Sequence, residues 1–328
     1  MILVVGGAGY IGSHMVQLLR ESNEPHVVFD NLEAGHRTAL QGSPFIQGDL
    51  RNPLDLERAF DQFPGIDTVM NFAAYISVGE SVREPGKYYR NNTAGVLNLL
   101  EVMRQRGVSK IVFSSTAAVY GDPQYTPIDE DHPKAPLNPY GWSKLMVEQL
   151  LDDYDVAHGF KSVCLRYFNA SGSDPEGVLG EDHDPEEHLI PVALLSALGK
   201  RPPMKVFGTD YDTPDGTCVR DYVHVVDLAQ AHLLAVKHLR TGGDSRKYNL
   251  GNGEGFSVKQ VLETTEQVLG KTIPKEYGAR RPGDSPKLVA NSERIQKDWG
   301  WQPHYKDLSE IIEHAWKWRL GHPDGFGD

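Results

Sequence analysis

Short apolar runs alternate with amphipathic stretches along the first half of the chain. Continuous apolar runs are typical of buried strands, whereas apolar positions three or four residues apart are typical of helices. These patterns predict strands at 1–5, 26–30, 45–49, 67–74, 110–115 and 162–169, and helices at 11–21, 54–63, 92–107 and 140–158. Strands separated by helices of this length indicate βαβ units and a parallel sheet.

The pattern changes after residue 170, where turn-forming and acidic residues become frequent. We therefore predict an α/β fold with two domains. Residues 1–170 form a doubly wound parallel sheet of the Rossmann type, and residues 171–328 form a second, smaller α/β substrate domain. A predicted strand and helix at 222–236 are expected to return to the large sheet, so 221–240 is assigned to the first domain.

Composition and charge argue against nucleic-acid-binding, disulfide-rich and membrane proteins. The 328 residues are 39% hydrophobic, which is enough for a sizeable core, and the net charge of −12 argues against a nucleic-acid partner. Cys164 and Cys218 form no disulfide framework, which fits a reducing compartment. The sequence shows neither a signal-peptide pattern nor an apolar run of roughly 18 residues, so we expect a cytoplasmic protein without membrane contact.

Glycines cluster directly after the first predicted strand, in the run GGAGYIG. Gly6, Gly9 and Gly12 have the spacing of a dinucleotide-binding turn, and they lie between a strand and a helix as that motif requires. Glycine lets backbone N–H groups approach a pyrophosphate, and the helix N-terminus adds a positive field. The alternative is a turn that only packs the helix against the strand.

Aspartates end the next two predicted strands. Asp30 follows the glycines by about 20 residues, where an acidic side chain binds the ribose hydroxyls of NAD. A carboxylate there disfavours the 2′-phosphate of NADP, although Arg37 keeps that alternative open. Asp49 either hydrogen-bonds the adenine amino group or caps a turn, and the sequence leaves both interpretations open.

Tyr140 and Lys144 lie four residues apart on a predicted helix and therefore share a face. A nearby cation favours the phenolate form of tyrosine and lowers its pKa. Such a tyrosine can accept a proton from an alcohol while hydride leaves to a cofactor. Tyr-xxx-Lys also occurs by chance on helix surfaces, so its weight comes from following a dinucleotide motif.

The order of several motifs resembles the extended short-chain dehydrogenases/reductases: GGAGYIG, FDN, GDL, NFAA, SSTAAVYG, PYGWSK and LRYFNASG. Segments of the second half, including DGTCVRDY and RRPGD, are similar to the UDP-glucose 4-epimerase group of NAD-dependent epimerases. The resemblance implies that Tyr140 takes the proton of the sugar 4′-hydroxyl while C4′ gives hydride to NAD. The 4-keto sugar then rotates, and hydride returns to its other face.

The resemblance also implies roles for individual residues. Thr116 would hydrogen-bond the 4′-oxygen in the place of a serine, and Lys144 would contact the nicotinamide ribose. Further cofactor contacts would come from Tyr10, Ile11, Asn31, Leu50, Phe72, Ala73, Ala74, Tyr75, Asn91 and Phe168. The UDP-sugar would contact Asn169, His188, Leu189, Val206, Phe207, Arg220, Arg281 and Asp284, in addition to Thr116 and Tyr140.

The sequence also argues against a dehydratase, a non-catalytic dinucleotide-binding protein and a metal site. Related 4,6-dehydratases need an acid and a base where this chain has Ala117 and Ala118, which argues against dehydration. A non-catalytic dinucleotide-binding protein would not need Tyr140, Lys144 and Thr116 together. His183, Asp184, Glu187 and His188 lack a recognisable ligand spacing, so we predict no metal site.

The identity of the sugar and the oligomeric state remain expectations. Leu288 falls near a position that sets the room at the sugar C2 substituent, so an N-acetylhexosamine or a pentose stays an alternative to glucose and galactose. The helices at 92–106 and 140–158 are apolar on more than one face. They resemble the dimer helices of the family, which predicts a homodimer.

Overall fold

A computed structural model describes residues 1–281 and 284–328. The strands are β1 (Ile2–Val5), β2 (His26–Asp30), β3 (Phe45–Gln47), β4 (Thr68–Asn71), β5 (Lys110–Thr116), β6 (Lys161–Tyr167), β7 (Asn169–Ser171), β8 (Met204–Phe207), β9 (Val219–Arg220), β10 (Tyr222–His224), β11 (Arg246–Leu250), β12 (Phe256–Ser257), β13 (Lys275–Gly278) and β14 (Lys287–Leu288). The helices are α1 (Tyr10–Glu21), α2 (Pro53–Gln62), α3 (Val78–Arg83), α4 (Pro85–Tyr88), α5 (Gly95–Gln105), α6 (Pro139–His158), α7 (Leu189–Ala197), α8 (Val225–Arg240), α9 (Val258–Leu269), α10 (Glu293–Trp299) and α11 (Leu308–Gly321).

A seven-stranded sheet in the order β11-β6-β5-β4-β1-β2-β3 forms the larger lobe, and every pair in it is parallel. The strand order reverses between β1 and β4. In open α/β sheets, ligands bind at such a switch point, beyond the carboxyl ends of the strands. The predicted doubly wound Rossmann-type sheet is therefore confirmed.

Both faces of the sheet are covered, which explains why its strands are apolar throughout. On one face, Met15 and Leu19 of α1 pack with Leu228 of α8. On the other face, α2, α5 and α6 contribute buried side chains such as Leu99 and Val147. β1 (Ile2–Val5) lies beside β4, the middle strand of the seven, at the switch point.

The return of the chain to the large sheet differs from the prediction. β10 pairs with β7 in a separate two-stranded sheet, so the strand at 222–224 does not join the large sheet. The strand that does join it is β11, which pairs with β6 over Arg246–Leu250. Only the helical part, α8, packs against the large sheet as expected. The apolar pattern did not reveal β11, because its sequence, RKYNL, begins with two charged residues and is not an apolar run.

The smaller lobe consists of short sheets and three helices. β8 pairs with β13, and β9 lies between β12 and β14. Its core joins α7, α9 and α11 through Ile190, Leu194, Val261, Ile311 and Ile312, all buried. Among the described residues, no helix combines the length and the apolar character that a bilayer crossing requires.

Candidate active site

The glycine-rich turn connects β1 to α1 at the switch point. Gly6 has a φ of +76°, a conformation that favours glycine, and a Cβ there would collide with the backbone of Ala73. A Cβ on Gly12 would collide with the carbonyl oxygen of Gly6. Gly9 precedes the first turn of α1 and has no capping side chain, so the N–H groups of that turn can face an anion.

Polar groups around this turn fit a dinucleotide. Asp30 is buried and accepts hydrogen bonds from Ala8 N at 3.0 Å and Leu32 N at 2.9 Å, so it holds the turn against the end of β2. Burial raises the pKa of Asp30, and these backbone bonds oppose the rise. Asn71, at the end of β4, has both amide atoms buried without a partner among the described residues. An unpartnered amide beside the switch point is the mark of a polar ligand.

A polar network lies at the ends of β2 and β3, where the adenosine half is expected. Asp49 accepts hydrogen bonds from Arg51 N at 2.7 Å and Arg51 Nε at 2.9 Å, and Arg51 lowers the pKa of Asp49 to about 2. Asn31 Nδ2 donates to Asp49 at 3.0 Å. Glu33 accepts from Arg51 and from the Tyr75 hydroxyl, at 2.9 and 2.6 Å. In this arrangement Asp49 stabilises a turn, one of its two predicted roles.

The remaining predicted cofactor residues line the same edge through backbone and packing. Tyr75 exchanges two hydrogen bonds with the Asn92 side chain, which Asn91 also contacts. The Tyr10 hydroxyl donates to Gly172 O at 2.7 Å and so reaches the second half of the chain. Leu50 is buried, and the others are core-packing or half-buried: Ile11, Phe72, Ala73, Ala74 and Phe168.

Tyr140 and Lys144 lie on one face of α6, which Asn138 caps by accepting from Gly141 N at 2.9 Å. Thr116 ends β5 and lies close enough to act on the Tyr140 hydroxyl. Lys144 is buried, and its Nζ donates to Ser114 O at 2.8 Å. The three predicted catalytic residues therefore meet beyond the carboxyl end of the sheet, beside the switch point.

Burial dominates the electrostatics of this triad. It raises the pKa of Tyr140, and the Thr116 hydroxyl opposes the rise. Burial also lowers the pKa of Lys144 to about 7. A lysine that is only partly protonated supplies less positive charge than an exposed one. That Lys144 lowers the pKa of Tyr140 stays a prediction.

A second cluster comes from the smaller lobe. Arg220 and Arg281 both contact Asp284, at 3.4 Å and at 3.1–3.2 Å respectively. Arg220 Nη1 also donates to Ser285 O at 2.8 Å. β14 pairs with β9 and places Leu288 opposite Arg220 in the register. The RRPGD segment lies partly outside the described residues, because the description omits 282–283.

The other predicted substrate residues differ in their exposure and in their contacts. Phe207 is exposed and lies 5.4 Å beneath the guanidinium of Arg281, whereas Val206 points into the core. The two side chains point to opposite faces of β8, and the Phe207 ring faces Arg281. That both residues border the base stays a prediction. Asn169 donates to Asp221 O at 2.9 Å, and Leu189 packs at the start of α7. His188 precedes α7 and contacts two glutamates.

Comparison with known proteins decides the family. Residues 2–251 match the NAD dependent epimerase/dehydratase family. The chain belongs to this family. It is 52% identical over 325 residues to a UDP-glucose 4-epimerase of Halalkalibacterium halodurans, covering 99% of this chain and 97% of the relative.

Solved structures agree with this assignment. A crystal structure of UDP-glucose 4-epimerase from Brucella ovis in complex with NAD matches with a TM-score of 0.94 and 45% identity, covering 96% of this chain and 97% of that one. The enzyme from Bifidobacterium longum in complex with NAD⁺ and UDP matches with a TM-score of 0.93 and 38% identity, covering 99% of both chains.

The segment after β5 bears on the dehydratase alternative that the sequence argued against. Here a short 3-10 helix follows Thr116 and contains Ala117 and Ala118, which have no proton to transfer. Leu288 packs against this segment, in a cluster that includes Val119, Tyr120 and Phe168. The smaller lobe therefore reaches the catalytic strand at the position predicted to limit the sugar.

Sequence reasoning missed several residues of the site. Tyr167 is the last residue of β6 and hydrogen-bonds the Ser114 hydroxyl. Burial raises the pKa of Tyr167, and the nearby Tyr140 raises it further. Arg51 organises the adenosine end, and Asn71 carries the unpartnered amide. Arg51 comes two residues after the predicted strand 45–49, whereas Asn71 and Tyr167 lie inside the predicted strands 67–74 and 162–169 and end the observed strands β4 and β6. Their partners come from distant segments, so spacing alone did not reveal them.

Proposed function

We propose that this chain interconverts UDP-glucose and UDP-galactose by inverting C4′ of the hexose, with NAD as its resident cofactor. The meeting of Tyr140, Lys144 and Thr116 beside the glycine-rich turn carries the proposal. Gly6, Gly9 and Gly12 would hold the pyrophosphate, and Asp30 would face the adenosine ribose. The carboxylate of Asp30 at the end of β2 supports NAD over NADP, because it would repel a 2′-phosphate.

The chain's own groups define the proton transfer. When bound, NAD accepts the C4′ hydride and returns it, and its pyridinium charge favours ionisation of Tyr140. The Tyr140 phenolate oxygen would then accept the proton of the 4′-hydroxyl and become a neutral hydroxyl, and it would give the proton back when the alcohol re-forms. Thr116, which acts on the Tyr140 hydroxyl, would orient the 4′-oxygen by a hydrogen bond. Lys144 and Tyr167 are buried, whereas Tyr140 is half-buried and therefore accessible to a substrate.

The smaller lobe would bind the nucleotide end. Arg220 and Arg281 converge on Asp284, and guanidinium groups match the oxygens of a diphosphate. Asp284 would turn to the uridine ribose once the phosphates take over the arginines. The exposed ring of Phe207 would stack on the base. This local pair of cations reconciles an anionic ligand with a chain of net charge −12.

A homodimer and a cytoplasmic location complete the proposal. Exposed apolar side chains lie on the two packed helices α5 and α6: Leu97 is 39% exposed, and Trp142 and Met146 are each 42% exposed. These side chains would pack in a four-helix interface, as in the family that the sequence resembles. Sedimentation at micromolar concentration should give a dimer. A monomer there would overturn this part of the proposal.

Tyr140→Phe tests the chemistry directly. The variant should keep bound NAD but lose roughly 10²–10⁴-fold in turnover of UDP-glucose, followed by NMR of the products. Tyr125→Phe is the matched control, because Tyr125 is an exposed tyrosine bonded to Asp129. Normal turnover by Tyr140→Phe would remove it as the base.

The same NMR assay should be repeated with UDP-N-acetylglucosamine and a UDP-pentose. Turnover of one of these, with none of UDP-glucose, would replace the hexose in the proposal. No turnover of any of the three sugars would end it.

A further inference from the structure

Two histidines and two glutamates meet in the loop that precedes α7. Glu181, His183, Glu186 and His188 each offer one ligand atom, and these atoms all lie within 4.8 Å of one another. His183 Nδ1 lies 3.3 Å from Glu181 and 3.5 Å from Glu186. His188 Nδ1 lies 2.8 Å from Glu181 and 2.9 Å from Glu186. This set differs from the four residues named in the sequence analysis, because it contains Glu181 and Glu186 in place of Asp184 and Glu187.

Two atoms of this cluster have no hydrogen-bond partner within the described ranges 1–281 and 284–328. They are Nδ1 of His183 and Oε2 of Glu186, and both are buried. Glu186 is only 5% exposed. Its Oε2 points toward His183 Nδ1, yet the contact lacks the geometry of a hydrogen bond. Buried polar atoms are almost always satisfied, so this pair indicates a missing partner between them.

We propose that Glu181, His183, Glu186 and His188 bind one divalent transition-metal ion, with Zn²⁺ as the best fit. Two imidazoles and two carboxylates form a nitrogen and oxygen ligand set that Zn²⁺ accepts in tetrahedral geometry. Metal–ligand bonds of about 2.0–2.1 Å place neighbouring ligand atoms about 3.3 Å apart. The contacts of His183, at 3.3 and 3.5 Å, already match this separation. The contacts of His188 need to lengthen by about half an ångström.

Charge balance defines two possible states of this cluster. Two buried carboxylates require two positive charges nearby. Either two protonated imidazoles or one divalent ion between neutral imidazoles supplies them, and the Zn²⁺ titration below separates the two states.

The site would be structural, because protein groups fill all four positions. Its loop contacts several parts of the molecule. Arg319 donates to Glu181 O at 2.9 Å, and the Tyr10 ring meets His183 edge-on at 6.2 Å. The ion would therefore hold this loop in place between the glycine-rich turn and α7. The side chain of His188 is 44% exposed, which leaves an entry path from solvent.

The test uses the full-length protein without a histidine tag. After dialysis against EDTA, ZnCl₂ is titrated by calorimetry, and the melting temperature is measured with and without ZnCl₂. We expect one Zn²⁺ per chain and a rise in melting temperature of roughly 3 °C or more. His183→Asn and Glu186→Gln should each abolish both effects. His158→Asn, at the exposed end of α6, should retain them.

The wild-type measurement alone is decisive even if a variant fails to fold. Absence of stoichiometric Zn²⁺ binding to the wild type would overturn the proposal and leave an ion-pair cluster. Binding that persists unchanged in both variants would also overturn it, since the ion would then lie elsewhere. The proposal does not depend on epimerase activity, so its failure would leave the proposed function intact.

Discussion

The buried ion pair of Glu148 and Arg166 supports the catalytic helix from behind. Both side chains are 1% exposed, and Arg166 donates to the two oxygens of Glu148 at 2.8 and 2.5 Å. Ser115 also donates to Glu148, at 2.6 Å. Burial opposes ionisation, but Arg166 and Ser115 hold the pKa of Glu148 below its usual value. Glu148 stands one turn after Lys144 and therefore fixes α6 against β5 and β6.

Glu148→Gln tests this support. Removing one charge of a buried pair leaves the other uncompensated and costs about 3–5 kcal/mol. For a chain of 328 residues this corresponds to a fall in melting temperature of about 4–7 °C. Calorimetry measures the fall directly. Because α6 also carries Tyr140 and Lys144, we expect turnover to fall with little change in KM.

Glu263→Gln is the matched control. Glu263 pairs with Lys259 at 3.8 Å on the surface of α9, with both side chains more than half exposed. An exposed pair contributes at most about 1 kcal/mol, so the control should melt within about 2 °C of the wild type. Equal melting temperatures for the two variants would refute the argument that burial makes the Glu148 pair important.

Three further perturbations follow from the same structure. Lys144 is expected to make stability rise with pH between about 7 and about 10.5, because burial lowers its pKa to about 7 while the unfolded chain stays protonated up to the usual value. Urea unfolding at pH 7, 8 and 9 should show a smaller rise for Lys144→Met, and an equal rise would contradict the buried state of the lysine. Asp30→Asn should weaken retention of NAD roughly tenfold or more in a dialysis assay, because the single amide oxygen cannot accept from both Ala8 N and Leu32 N. Unchanged retention would mean that the turn holds its shape without the carboxylate. Leu288→Ala should raise turnover of UDP-N-acetylglucosamine relative to UDP-glucose by roughly tenfold, since it opens the cluster beside Phe168; an unchanged ratio in competition assays would place the limiting contact elsewhere.

The local pattern of apolar and polar residues predicted the bounds of several helices and strands. The helix predicted at 140–158 is observed as Pro139–His158, and the strand at 26–30 is observed as His26–Asp30. The helix predicted from residue 92 begins at Gly95, because a π-helical segment occupies 89–94 and turns Asn91 and Asn92 inward. Propensity does not encode that widening. It depends on contacts of Asn92 with Tyr75 and Ser143, which lie on other elements.

The sequence by itself determined the parallel sheet, the glycine-rich turn and the shared face of Tyr140 and Lys144, because each is a matter of spacing along a few turns or strands. Only the tertiary structure decided which charges neutralise one another. It brought Arg220 and Arg281 to Asp284, buried Glu148 against Arg166, and lowered the pKa of Lys144 to about 7 by desolvation. The physical reason is that burial and long-range pairing set the electrostatics of a side chain, and neither can be read from its neighbours in the chain.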